Sequence, residues 1–168
     1  MTIRELAEAL SCDPANIYNY VKSKSELLEN LLFEISADFH AGIDRILSAD
    51  LPPAQQVEEL IRLHVDLSVQ KPLRVGLLVN EWRNLPEKKL SVFIKERNQY
   101  EQKVSQIFQE GVEKGDFRSL DIEITTLSVL GSLRWQHDYY LKHRKKAANP
   151  LKVMQELRQL ILPGLLAG

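Results

Sequence analysis

Amide and phenol side chains cluster near the start of the chain, where they could read DNA. If this stretch is helical, Asn16, Asn19 and Tyr20 point away from the face that carries Ile17 and Val21. A side-chain amide can pair with the edge of adenine, and a phenol can reach a base edge or a phosphate oxygen. These residue types therefore favour a helix that enters the major groove.

The neighbouring segments have the spacing of a helix-turn-helix. Residues 3–10 carry apolar side chains at helical spacing, and residues 11–12 interrupt that pattern. Asp13 can cap a second helix, and Pro14 suits the first helical position because its φ angle is already fixed. This second helix is predicted to end near Val21. Two short helices around a tight turn indicate DNA binding rather than catalysis.

This window resembles the DNA-binding domain of the TetR family of bacterial repressors. The turn departs from the family pattern, because Ser11 stands where Gly is usual and Cys12 and Asp13 replace the usual Val and Ser. A positive φ angle at Ser11 would cost about 1 kcal/mol of strain. The positions that match are Thr2, Leu6, Ala7, Ile17, Tyr18, Tyr20, Lys24 and Leu27.

The resemblance implies a set of DNA-binding residues and operator DNA as the partner. Lys24 is expected to hold a phosphate, because it stands at the start of the next helix, where its charge and the free N–H groups both attract anions. Thr2 would hold a second phosphate. The residues that would face base edges or the nearby backbone are Arg4, Pro14, Ala15, Asn16, Tyr18, Asn19 and Tyr20.

The DNA-binding domain, expected over residues 1–30, looks incomplete. TetR-type domains contain three helices, and the first has no counterpart before Thr2. Residues 1–24 carry three cations and three anions, so this segment has no net charge with which to neutralise phosphates. We therefore expect the chain as given to bind operator DNA weakly.

The composition indicates a folded cytoplasmic protein without disulfides. Hydrophobic residues make up 44% of the 168 residues, which is enough for a core, and the formal net charge is −1. Cys12 is the single cysteine, so an internal disulfide is excluded. We find no signal peptide and no apolar run near 18 residues. A membrane location is therefore not expected.

The rest of the chain is predicted to be helical. Apolar residues recur every three or four positions from about 24 to 47, in a long helix that would join the DNA-binding domain to the body. Ser23 and Glu26 form a capping box at its start. No stretch alternates with period two. The predicted fold class is all-α, a partial helix-turn-helix domain followed by a TetR-type helical ligand-binding and dimerisation domain over residues 31–168. Further helices are predicted around residues 57–71, 73–85 and 87–115.

Two helices, at about 120–146 and 150–166, are predicted at the end of the chain. The first, from Ile122 to about Lys142, has apolar residues on nearly all sides, and Gly131 permits a close approach of another helix. Such helices need neighbours on every side. The resemblance implies the same, because TetR proteins form homodimers through their last two helices.

A second, looser resemblance concerns the ligand. The stretches GSLRWQHDYY and EWRNL are similar to the regulatory domain of TetR members that sense acyl-CoA or fatty-acid metabolites. The resemblance implies a small-molecule effector that releases the homodimer from DNA. For each pocket residue the alternative is an ordinary core position, and Arg134 and Asp138 could form an ion pair within one helix. The expected pocket comprises His64, Leu67, Val79, Trp82, Tyr100, Leu130 and Trp135, with Arg83 or Arg134 available for a carboxylate or phosphate.

Catalysis finds no support in the sequence. The four histidines lack HExxH spacing, no Gly-rich phosphate loop precedes a helix, and Cys12 has no neighbouring base. We therefore expect neither enzymatic activity nor a cofactor or metal site. The alternative that stays open is an all-helical protein-interaction or ligand-binding module without DNA-binding activity.

Overall fold

The computed structural model describes residues 24–143 and 149–167, which form a helical body. A short 3₁₀ turn, Trp82–Asn84, lies between the third and fourth helices. Within the described residues no strand is present, only an isolated bridge between Phe117 and Leu166. The all-α prediction is confirmed. The helices are α1 (Lys24–Ser48), α2 (Pro53–Gln70), α3 (Pro72–Asn80), α4 (Glu87–Lys114), α5 (Ile122–Leu133), α6 (Gln136–Lys142) and α7 (Pro150–Leu165).

Helix α1 is the long helix that the periodicity predicts. Its apolar side chains, among them Leu32, Ile35 and Ile43, recur at helical spacing and are fully buried. They pack against α2, α3 and α4. The helix passes residues 30–31 without a break, so the expected domain boundary falls within a continuous helix.

Three apolar clusters follow one another along α1. Leu28 and Leu32 pack with Phe93 at the start of α4. Ile35 and Phe39 pack against α3. The last turns of α1 join the largest cluster, which is shared with α2, α4, α5 and α7.

Ion pairs flank the buried stripe of α1 on both sides. Glu34 accepts from Arg74 at 2.9 Å, and Asp38 contacts Lys71 at 2.6 Å, on the side of α3. On the side of α4, Glu29 contacts Lys89 at 2.5 Å and Asp44 contacts Lys103 at 2.6 Å. All these pairs are partly exposed, so each contributes about 0 to 1 kcal/mol and mainly fixes the position of α1 between its neighbours.

Helix α4 ends in a glycine turn, at the end of the range 87–115 predicted for this helix. Gly115 has a φ angle of 78°, which a residue without a Cβ adopts without strain. The chain then folds back, and the Phe117 N–H donates to the Gly111 carbonyl at 2.9 Å. The Phe117 ring lies directly over Gly111, where a Cβ would have no room.

The predicted single helix from Ile122 to about Lys142 is wrong, because the structure breaks it into α5 and α6 at Arg134 and Trp135. The His137 ring nitrogen Nδ1 lies 2.8 Å from the Arg134 carbonyl oxygen. In a continuous helix this oxygen would accept a hydrogen bond from the Asp138 N–H, four residues later. The Asp138 N–H instead donates to the Trp135 carbonyl at 3.2 Å. A side-chain hydrogen bond therefore replaces a main-chain one and tightens the turn.

The final helix is the one predicted at the end of the chain. The predicted range of about 150–166 agrees with α7 to within one residue at its end, although the sequence signals Pro163 and Gly164, which can stop a helix, lie inside α7. Among the described residues, no helix combines the length and the apolar character needed to cross a membrane.

We predict that Gly111→Ala lowers the free energy of unfolding by about 1 to 3 kcal/mol, because the new methyl group would overlap the buried Phe117 ring. The matched control is Gly164→Ala, where an added Cβ meets no atom within 4 Å. Urea unfolding of both variants checks the prediction. Equal stability of Gly111→Ala and the wild type would contradict this packing.

Candidate ligand-binding cavity

A cavity of about 180 Å³ opens between α1, α3, α4 and α5 in the middle of the body. It borders the apolar cluster of Ile35 and Phe39. Its walls combine apolar side chains with a few charged and polar ones. The lining residues are Ser36, Phe39, His40, His64, Val75, Leu78, Val79, Trp82, Arg83, Arg97, Tyr100, Glu101, Leu130, Leu133 and Arg134.

Three arginines surround the opening of this cavity. Arg134, on the turn after α5, donates to the Glu101 carboxylate at 3.2 Å, and Arg97 approaches the same oxygen at 3.9 Å. Arg83 is exposed at the rim. Three guanidinium groups face one carboxylate, which leaves two formal positive charges at the opening. Such a cluster suits carboxylate or phosphate groups.

The ring of Trp82 supports two of these guanidinium groups. The Arg83 Cζ lies 4.2 Å from the ring centroid and the Arg97 Cζ 4.6 Å from it. The ring in turn stacks on Phe93, with centroids 6.4 Å apart. Cation–π stacking restricts both guanidinium groups, so less entropy is lost when they bind an anion.

The buried part of the cavity contains a neutral hydrogen-bonded pair. His64 on α2 is 7% exposed, and its Nε2 lies 3.0 Å from the Tyr100 hydroxyl on α4. The Phe39 ring packs against both, at centroid distances of 4.8 Å from His64 and 5.9 Å from Tyr100.

Burial controls the protonation of this pair. Desolvation, and then the charge of Arg134, lower the pKa of His64 to about 3. Burial raises the pKa of Tyr100 well above its usual range, although Arg134 opposes this shift. Burial is also the main cause that lowers the pKa of Arg97, followed by Arg134. At neutral pH the inner pair is therefore uncharged while the opening is positively charged.

The structure brings seven of the nine expected pocket residues to the cavity wall. Leu67 and Trp135 do not line it. Leu67 packs in the apolar cluster of Ile35 and Phe39 beside the cavity. Trp135 follows the helix break and is 44% exposed, with its ring edge-on to Tyr139. The seven on the wall are His64, Val79, Trp82, Arg83, Tyr100, Leu130 and Arg134.

The alternative reading of Arg134 and Asp138, an ion pair within one helix, does not describe their contacts in the structure. Arg134 turns to Glu101 on α4, and Asp138 lies 3.5 Å from His137 Nε2. The break between α5 and α6 removes the regular helical spacing of the two residues, so Arg134 pairs with a distant residue and Asp138 with its sequence neighbour.

Sequence reasoning missed Arg97 and Glu101. Both lie on the face of α4 that buries Phe93 and Val104. Arg97 comes four residues after Phe93, Glu101 four residues after Arg97, and Val104 three residues after Glu101. Charged residues that interrupt an otherwise buried face were the available signal. Ser36 and His40 interrupt the buried stripe of α1 in the same way.

The expected DNA-binding residues fall mostly outside the described part of the chain. Lys24 is described, is exposed and begins α1. The others, which lie outside the described residues, are Thr2, Arg4, Pro14, Ala15, Asn16, Tyr18, Asn19 and Tyr20. Among the residues that the structure does describe, no group of three or more His, Cys, Asp or Glu could hold a metal ion.

Comparison with known proteins identifies the family. Residues 50–143, more than half of the chain, match the family model described as tetracyclin repressor-like, C-terminal domain. The chain belongs to the TetR family of transcriptional regulators. This membership confirms the family that the sequence resembles and favours the regulator hypothesis over an interaction module without DNA-binding activity.

Individual TetR regulators agree with this assignment. The HTH-type transcriptional repressor KstR2 of Mycolicibacterium smegmatis is 24% identical over 140 residues, which cover 80% of this chain and 68% of that protein. The ketosteroid transcriptional regulator KstR2 of Mycobacterium tuberculosis has the same fold, with a TM-score of 0.84, 18% identity, and coverage of 100% of this chain and 86% of that one.

A second similar structure was solved as a complex. AibR in complex with isovaleryl coenzyme A and operator DNA superimposes with a TM-score of 0.77 at 16% identity. The match covers 97% of this TetR-family chain and 88% of AibR. At this level of identity the likeness shows the fold.

We predict that His64 makes the folded protein less stable in acid. Between pH 6.5 and about 3 the unfolded chain binds a proton at this ring and the folded chain does not, so the free energy of unfolding decreases as the pH decreases. From pH 7 to pH 4.5 the contribution is about 2 to 3 kcal/mol.

The measurement is urea unfolding of the wild type and His64→Gln at both pH values and one protein concentration. Groups other than His64 titrate in both proteins, so the difference between their pH dependences isolates this ring. The variant is expected to lose about 2 to 3 kcal/mol less than the wild type on acidification. An identical loss in both proteins would show that His64 is not held neutral by the fold.

Proposed function

We propose that this TetR-family regulator binds operator DNA as a homodimer and is released when an acyl-CoA or fatty-acid-like effector enters the cavity. The observation that carries the proposal is the division of the cavity into a positively charged opening and an uncharged, mostly apolar buried interior. Acyl-CoA molecules have the same division, with phosphates at one end and a hydrocarbon chain at the other.

The arginine cluster supports an anionic group at the opening. Arg97 and Arg134 share one carboxylate, Glu101, so their remaining N–H donors are available to a ligand. Guanidinium groups bind phosphate and carboxylate through paired hydrogen bonds. The fold shared with AibR, whose structure contains isovaleryl coenzyme A, adds support for this ligand class.

The size of the cavity indicates that only part of an acyl-CoA effector would be enclosed. A volume of about 180 Å³ is below the roughly 300 to 1,000 Å³ typical of pockets that enclose a drug-sized ligand. The acyl chain would occupy the interior, among Val75, Leu78 and Leu133. The coenzyme portion would then extend across Arg83 and Arg97 towards solvent.

Exposed apolar side chains support a homodimer through the last helices. Among the described residues, six of nine exposed large hydrophobic side chains belong to residues 124–166. On α5 and the turn after it, Ile124, Leu127, Gly131 and Trp135 are spaced three, four and four residues apart, so they share one side of the helix. Leu160 on α7 is 71% exposed. A second copy of the chain would bury these side chains, as the family resemblance implies.

The domain arrangement follows from the same reasoning. Residues 1–30 would form the DNA-binding domain, with Lys24 at a phosphate, and residues 31–168 the ligand-binding and dimerisation domain. Because α1 runs continuously from Lys24 into the body, a movement of its body part would be transmitted to the residues before it.

The proposed mechanism is a two-state change in the position of α1. Ser36, Phe39 and His40 of α1 form one wall of the cavity, so an effector that fills the cavity presses against this helix. A shift of α1 would change the spacing of the two DNA-binding domains in a dimer, which then no longer fit successive grooves. The effector must bind the two arrangements with different affinity, typically by about 1 to 3 kcal/mol.

We predict that Arg134→Gln weakens binding of octanoyl coenzyme A by about 10- to 100-fold, because one charge-assisted hydrogen bond is lost. Isothermal titration calorimetry measures this. The matched control is Arg158→Gln, which removes an exposed ion pair with Glu58 that is not part of the cavity wall. Unchanged affinity of Arg134→Gln would remove the arginine cluster from the proposed site.

We also predict that Leu127→Glu weakens the dimer by at least about 100-fold. In a symmetric interface the substitution occurs twice, and each carboxylate would be buried without a partner. Val92→Glu is the matched control, because Val92 on α4 is 48% exposed and Leu127 is 46% exposed. Analytical ultracentrifugation distinguishes the outcomes. A Leu127→Glu protein that dimerises like the wild type would place the interface elsewhere.

A further inference from the structure

The paired side chains of His64 and Tyr100 are a polar group in the apolar part of the cavity. Both line the cavity, from α2 and α4, and their hydrogen bond is 3.0 Å long. Around them the wall is formed by Phe39, Val75 and Leu130. A cavity made only for a saturated hydrocarbon chain has no use for such a pair.

The protons of this pair can be counted. His64 is neutral in the folded protein and has one N–H, and Tyr100 keeps its O–H. Their mutual hydrogen bond uses one of the two protons, whichever tautomer His64 adopts. Within residues 24–143 and 149–167 the pair has no further hydrogen-bond partner. One donor is therefore left for an acceptor from outside the protein.

We propose that the His64–Tyr100 pair is a specificity site that recognises an oxygen atom, a carbonyl or a hydroxyl, on the hydrocarbon part of the effector. This inference rests on the proposed function, because it assumes that the acyl part of the effector occupies the cavity. The preferred effector is then an oxygenated acyl thioester and not a saturated fatty acyl thioester.

Desolvation provides the discrimination. A saturated chain that fills the cavity removes water from the remaining donor and offers no acceptor, which lowers affinity by about 10- to 100-fold relative to a chain with a well-placed oxygen. The thioester carbonyl is present in every acyl-CoA, so it does not contribute to this preference. The arginines at the opening would bind the coenzyme part of the effector, and the His64–Tyr100 pair would contact its acyl part.

Calorimetric titration of the full 168-residue chain tests the inference with octanoyl coenzyme A and its 3-oxo, 5-oxo and 7-oxo derivatives. At least one oxo derivative is expected to bind 10-fold or more tightly than octanoyl coenzyme A. Tyr100→Phe removes one oxygen atom and is expected to reduce this preference to within threefold. Tyr139→Phe is the matched control, because Tyr139 packs against Trp135 and His143 and is not part of the cavity wall.

The outcomes separate the two proposals. If all four thioesters bind with affinities within threefold of one another, the specificity site is wrong and the proposed ligand class stands. Retention of the preference by Tyr100→Phe also overturns the site. If none of the thioesters binds, the acyl-CoA function fails and the inference fails with it. The wild-type titrations decide the question even if Tyr100→Phe does not fold.

Discussion

The burial of α1 between α3 and α4 is the constraint on which the rest of the structure depends. Each fully buried leucine or isoleucine of its apolar stripe contributes about 1.5 to 3 kcal/mol, whereas each flanking ion pair contributes about 0 to 1 kcal/mol. The stripe therefore supplies the stability, and pairs such as Lys71 with Asp38 fix the lateral position. Between the clusters around Phe93 and Ile43, the cluster of Ile35 and Phe39 borders the cavity. A ligand in that space would contact α1 directly, through Ser36, Phe39 and His40.

The cavity also shows how a small helical body tolerates polar groups in its interior. Arg97 and Arg134 are stabilised by one shared carboxylate, Glu101, and by partial exposure at the opening. The inner pair, His64 with Tyr100, avoids the cost of burying charge because both side chains stay neutral. The gradient from charge to neutrality matches a ligand with an anionic head and a less polar tail. Packing of the surrounding helices alone would not require such a gradient, which is why we assign it to ligand binding.

The sequence predicted the helices well because their apolar periodicity is local. The break at Arg134 was not predicted, because it depends on a hydrogen bond between the His137 ring and the Arg134 carbonyl. The spacing of apolar residues does not reveal such a bond. Most of the expected pocket residues lie on the cavity wall. They are polar or aromatic residues on buried helix faces, and a cavity is one of the few buried environments that accommodates such side chains. Trp135 was misplaced by the same break. Contacts between distant elements, such as Arg134 with Glu101, require the three-dimensional arrangement.

The distance between the two α1 helices of a dimer tests the central claim most directly. A spin label at Ser25→Cys, an exposed position in the first turn of α1, reports this distance by double electron–electron resonance once the single native cysteine is replaced by Cys12→Ser. The account predicts that a saturating acyl-CoA effector shifts the distance distribution, because the filled cavity displaces α1. The same distribution with and without bound effector, verified by calorimetry on the labelled protein, would contradict the proposed switch.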